Sequence, residues 1–159
     1  MSYVFNIPFR GNNKLEQIMA KVQQDSMLNS FWKCSNIVAI DRMGYTDHGP
    51  THVKIVANLA LKLLRILIKN EIEPSIVKNY KMNNYDSEVV VVLGSIFHDL
   101  GMIVQRNDHE KYSVLLALKF LDKFLNQVYS LEEQAIVTSE VLHCVVSHER
   151  PNNPALRPL

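Results

Sequence analysis

Between Gly49 and Asn70 the chain reads PTHVKIVANLALKLLRILIK, and that stretch narrows the choice of fold more than any other. Pro50 suits the first helical position, where a missing N–H costs nothing, and Gly49 can cap it. Lys54, Asn58, Lys62, Arg65 and Lys69 then recur at steps of four, four, three and four. On a helix over residues 50–70 these polar side chains form one narrow stripe, and nearly everything else is apolar. Such a helix is expected to be buried on most of its circumference, which calls for other helices around it.

The rest of the chain supplies them. Leu15, Ile18, Met19, Val22, Met27 and Leu28 stand at helical spacings and predict a helix over 13–32. Residues 33–49 read as an irregular connection, and 71–85, with Pro74 and Asn83-Asn84, as a loop around a short turn. The segment SEVVVVLGSIFHDL (87–100) is two-sided. Its four valines favour a strand by propensity. Asp86 as a cap, Glu88 in a first turn and the helical neighbourhood favour a buried helix. Asn107 with Glu110, and Ser130 with Glu133, read as capping boxes that open helices over 108–127 and 131–148. The closing RPNNPALRPL has the make-up of an extended tail. Residues 1–159 therefore predict an all-α, single-domain helical bundle of about five main helices.

Composition removes several functional classes. A formal net charge of +1 leaves no global field for nucleic acid or for a membrane surface. Cys34 and Cys144 form no CxxC pair and read as reduced thiols, which points to the cytoplasm. The opening MSYVFNIPFR lacks the basic-then-apolar layout of a leader, and no apolar run approaches the roughly 20 residues of a membrane helix. Apolar residues near the N-terminus suit either a dimer or packing onto the bundle itself.

Chemistry then rests on six histidines: His48, His52, His98, His109, His143 and His148. His52 points about 120° away from the polar stripe of its helix, towards the interior. His98 and Asp99 close a second apolar helix, and ionisable groups there need partners. Imidazole nitrogen with carboxylate oxygen is a divalent-metal environment. On the last helix the apolar face runs through Leu131, Ala135, Thr138, Leu142 and Val145. His148 lies nearer that face than His143, which reads as surface or packing. His109, in a first turn, suits a ligand or a structural role equally. His48 lies in a Gly-Pro turn and fits the surface as well as a site.

The combination of DHGPTH (47–52), FHDLGM (97–102) and RNDHE (106–110) resembles the HD-domain metal-dependent phosphohydrolase superfamily, over roughly residues 40–159. The local phrase around DHGPTH is similar to a microbial subgroup of it. The resemblance implies a helical bundle with a metal at its centre. His52, His98 and Asp99 match the family's first three ligands. His109 and His148 match positions that hold a second metal in members with extra histidines. Arg106 stands where it would meet a phosphate, or is an ordinary surface arginine. One or two ions of Mn, Fe, Co, Ni or Mg, with Zn possible, would activate water towards a phosphomonoester or phosphodiester, such as a nucleotide. Asp99 would bind the ion and orient that water, and Arg106 would stabilise transition-state charge.

The pattern also departs from the family. Its last ligand is an aspartate on a helix after the position of His148, and no aspartate follows Asp122 here. Glu149 is a poor substitute, being adjacent to His148 on the same helix. Two alternatives stay open: a longer polypeptide that completes the site, or an incomplete module that binds metal or nucleotide and regulates a partner.

Overall fold

The centre of the molecule is the helix that carries the four valines. In the computed structural model, which describes residues 3–149, it spans Asn84–Phe97. Eleven of its residues are buried, from Asp86 to Phe97 with one gap at Val91. The valines' strand propensity is overridden because three of the four, Val89, Val90 and Val92, are buried against neighbouring helices. Around this helix, α5, stand α1 (Asn13–Gln24), α2 (Ser26–Asn36), α3 (Pro50–Lys69), α4 (Ser75–Tyr80), α6 (His109–Leu125) and α7 (Leu131–Val146). A π-helical turn at Ile37–Arg42 and a 3₁₀ turn at Leu100–Ile103 complete the helical elements. The described residues form an all-α bundle, and none of their helices is long and apolar enough to cross a membrane.

Several expected boundaries move, each for a local reason. The helix expected over 13–32 breaks at Asp25, which is extended (φ −73°, ψ 107°) and caps α2 by accepting a hydrogen bond from Leu28 N–H. Helix continues through Asn36 and into the π turn, so much of 33–49 is not irregular. Within 71–85, Ser75–Tyr80 form a short helix behind Pro74. The cap of α5 is Asn83; Asp86 instead closes the capping box from the third helical position. The capping box expected from Asn107 and Glu110 is not formed. The cap of α6 is Asp108, at φ 58°, and its side chain makes no capping bond. The Ser130–Glu133 box on α7 is formed. The extended tail expected over residues 150–159 lies outside the described residues.

One face resolves an open choice and two differ from expectation. Leu15, Ile18, Met19 and Val22 are fully buried, so the N-terminal helix packs onto its own bundle. The inner face of α7 is Val137, Val141 and Val145, whereas Leu131 is 85% exposed. On α3 only Val53, Ala57 and Leu61 are buried. Its polar stripe is partly turned inwards. Asn58 donates to the carbonyl of Phe5, and Arg65 grips Glu88 of α5 at 2.6 and 2.9 Å. The solvent side of α3 is instead apolar.

Candidate metal centre

The C-terminal end of α5 unwinds at Asp99 into the 3₁₀ turn, and the start of α6 folds back against it. Gly101 permits that approach. A Cβ there would lie 2.0 Å from the carbonyl oxygen of His109 and 2.8 Å from the amide nitrogen of Ser113. Ser113 then ties the two segments together, accepting from Gly101 N–H (2.8 Å) and donating to the carbonyl of His98 (2.6 Å). The first turn of α3 and the end of α7 close on the same place. Four histidines from four segments thereby surround one aspartate.

The geometry is two triads sharing Asp99. His52 Nε2 and His98 Nε2 stand 3.1 Å apart, and Asp99 Oδ2 lies 3.2 and 2.9 Å from them. His109 Nε2 and His148 Nε2 stand 3.0 Å apart, and Asp99 Oδ1 lies 3.1 and 3.6 Å from them. Burial deepens across the cluster: the His52 side chain is 31% exposed, Asp99 8% and His109 0%.

Tautomers explain why the nitrogens face one another. The Nδ1 atoms of His98, His109 and His148 lie 2.8, 2.9 and 2.7 Å from the carbonyls of Ser95, Arg106 and Val145. Only a protonated Nδ1 can donate there, so in the neutral rings Nε2 carries a bare lone pair. Lone pairs converging on a carboxylate repel unless positive charge lies between them. The titration tendencies agree. Burial pushes Asp99 up, but when the facing imidazoles of His109, His148, His52 and His98 take up a proton at Nε2 their hydrogen bonds outweigh it and hold the carboxyl far below the usual range. The Asp99 carboxylate holds His52 above its ordinary value against the effect of burial. Burial pushes His109 down, yet Asp99 and the Arg106 carbonyl raise it overall. The cluster attracts cations.

These side chains can hold a metal ion. With ligand bonds near 2.1 Å, neighbouring donors stand about 3.0 Å apart on an octahedron and about 3.4 Å apart on a tetrahedron. The first triad, at 2.9 to 3.2 Å, matches three adjoining octahedral positions. The Nδ1-to-carbonyl bonds are the outer support that metal-ligating histidines usually have.

All five residues singled out as ligands are thus brought together. Arg106 lies at the rim, its guanidinium paired with Glu149 and 3.0 Å from Nδ1 of His109. His143 is exposed and outside the cluster, and His48 stacks on His52 with ring centroids 5.4 Å apart. One carboxylate escaped the sequence reading, and a second, Glu149, was weighed there as a poor substitute ligand. Glu110, read as a capping residue, lies 3.7 Å from Nδ1 of His109 and has a buried Oε2 without a hydrogen-bond partner. Glu149 comes within 4.0 Å of His109 Nε2. The position of Glu110 directly after His109 was the available signal. Two grooves lie away from the cluster, on the flanks of α3.

No family model and no solved structure matches the chain. It is 44% identical over 133 residues to the uncharacterized protein MJ1020 of Methanocaldococcus jannaschii. The matched stretch is 84% of this chain and 51% of the relative, so the chain spans about half the length of the curated relative it matches.

Proposed function

We propose that this protein is a metal-dependent phosphohydrolase of the HD-domain type, acting on a phosphomonoester or phosphodiester of the nucleotide class. The observation that carries the proposal is the placement of Asp99, each of whose oxygens faces a separate pair of Nε2 atoms. Two adjoining cation seats bridged by a carboxylate suit in-line displacement at phosphorus. When bound, the ion lowers the pKa of a coordinated water and neutralises phosphoryl charge. His52, His98 and Asp99 would hold one ion, and Asp99, His109 and His148 a second. Octahedral donor spacing with nitrogen and oxygen donors favours Mn²⁺, Fe²⁺, Co²⁺, Ni²⁺ or Mg²⁺ over Zn²⁺.

The chain's own groups have separate duties. The carbonyls of Ser95, Arg106 and Val145 keep Nδ1 protonated and Nε2 free. Asp99, fully ionised, bridges the seats and orients a water by accepting its hydrogen bond. Arg106, released from Glu149, would donate to phosphoryl oxygens as charge develops there. A second reading keeps the ion without ester cleavage, as a regulatory module. It is favoured by the pairing of Arg106 with Glu149, which keeps the guanidinium engaged within the protein.

Metal analysis of the purified protein and phosphate release from a nucleotide panel with Mn²⁺ separate the two. The enzyme reading expects bound metal and turnover, with turnover lost in Asp99→Asn and His52→Ala while both variants stay folded. Metal without turnover on any phosphate ester establishes the regulatory reading. A protein that holds no divalent metal refutes both.

A further inference from the structure

A different part of the molecule, independent of the metal cluster, carries the further inference. The solvent face of α3 presents Ile55, Leu59, Leu63, Ile66 and Leu67, each between 41% and 61% exposed. Together they leave roughly 500 Å² of apolar surface in one strip, as large as the biggest patch of a typical monomer. Unlike scattered exposed leucines, they share one helix face at spacings of four, four, three and one.

The two flanks of this strip carry opposite charge. On one side Arg10, Lys62 and Lys69 line a groove of about 480 Å³. On the other, Glu73 and the buried Glu140 line a groove of about 180 Å³ with Leu64, Leu67 and Ile72. Arg65, on the cationic side, is already neutralised by Glu88. Helix α3 itself contains four cations and no acid, so two copies need the acids beyond its end to be compatible.

We propose that this strip is the core of a homodimer interface, with two copies packed face to face about a two-fold axis parallel to α3. That axis sets the cationic flank of each copy against the acidic flank of its partner, whereas an axis across the helix would set cation against cation. Lys69 then faces the acidic groove containing Glu73. Two strips bury roughly 1,000 Å² of apolar surface, and the flanking grooves raise the total into the range of about 1,200–2,000 Å² that stable interfaces need. The interface is isologous, so every contact occurs twice.

The test is sedimentation of the full 159-residue chain across micromolar concentrations. The expected mass is twice 18.3 kDa. Leu63→Glu should sediment as a monomer and melt as the wild-type monomer does, because the side chain is 57% exposed. Lys69→Glu should weaken the dimer about tenfold, since two symmetric attractions become repulsions. Adding Glu73→Lys to it should restore the affinity. A wild-type monomer up to roughly 100 micromolar overturns the proposal, whether the strip is then covered by another protein, by further chain or by a lipid surface. A dimer insensitive to Leu63→Glu, or a charge swap that fails to restore affinity, overturns it too.

Discussion

Replacing Gly101 by alanine tests how the site is assembled. The added methyl would sit 2.0 Å from the His109 carbonyl oxygen and 2.8 Å from the Ser113 nitrogen. Both are backbone atoms, so no side-chain rotation relieves the clash. Ordinary contact begins near 3.4 Å, so the start of α6 must retreat by about 1.4 Å, an overpacking that costs about 1–3 kcal/mol. The two hydrogen bonds of the Ser113 hydroxyl are stretched at the same time, at about 1 kcal/mol each. A loss of about 3–5 kcal/mol should lower the melting temperature by roughly 6–20 °C in a domain of this size. The displacement also draws His109 Nε2 away from Asp99 Oδ1, now 3.1 Å apart. Calorimetry in chelator reads the stability term. Elemental analysis reads the site, where the Asp99–His109–His148 seat should empty before the His52–His98–Asp99 seat. Gly94→Ala is the control, since its Cβ meets only side-chain atoms of Cys144, at 2.9 Å. It should destabilise without changing the metal ratio. A Gly101→Ala protein as stable as wild type would refute the close-approach argument whatever its metal content.

Other outcomes follow from the packing. Arg65→Met strands the Glu88 carboxylate beneath α3 and should cost about 3–5 kcal/mol; a loss below about 1 kcal/mol in urea titration would contradict the pairing seen here. Burial raises Asp25, but the Lys123 ammonium at 2.6 Å and the Leu28 and Met27 amides hold it below its ordinary value. A depressed folded pKa stabilises above the unfolded value near 3.8 and is lost as pH falls below it. The stability gap between wild type and Asp25→Asn should therefore close on acidification, and a gap that widens would reverse the assignment. Burial, and next the charge of Glu140, push the Cys144 thiol up to about 11. A thiol reagent at pH 8 should modify exposed Cys34 rapidly and Cys144 only on unfolding; Cys34→Ser should remove the fast phase.

Much of this was legible in the chain, for reasons that differ between elements. The α5 segment could be read as helix because Glu88 suits a first turn and the run is long, although the valines point the other way. The four histidines and Asp99 were legible as a set through the resemblance to HD-domain proteins; helix facing alone singled out His52, His98, Asp99 and His148 and left His109 open. The orientation of α3 was not. A helical wheel marks a polar stripe but does not say what satisfies it, and here Phe5 and Glu88, distant in sequence, draw Asn58 and Arg65 inwards. Glu110 directly follows His109, yet its reading as a capping residue hid it; α6 begins at His109 and Glu110 lies 3.7 Å from that ring's Nδ1. The apolar face of α7 was misplaced because Leu131 and Ala135 flank the inner valine row without belonging to it.

The central helix ends in two very different polar clasps. At its N-terminal end Asp86 accepts hydrogen bonds from Lys14 and Tyr129, while Glu88 accepts them from Arg65 and Asn12, so each acid is answered by the polypeptide itself. At its C-terminal end Asp99 meets three imidazoles whose Nδ1–H already donates to a carbonyl, and the ring of His52. Stripping cations should accordingly loosen the protein from one pole only. Amide exchange should quicken around residues 98–113 and 145–148 while the Asp86 pole stays closed. Occupancy of the cluster would then be written into the molecule as a gradient of rigidity along a single buried rod.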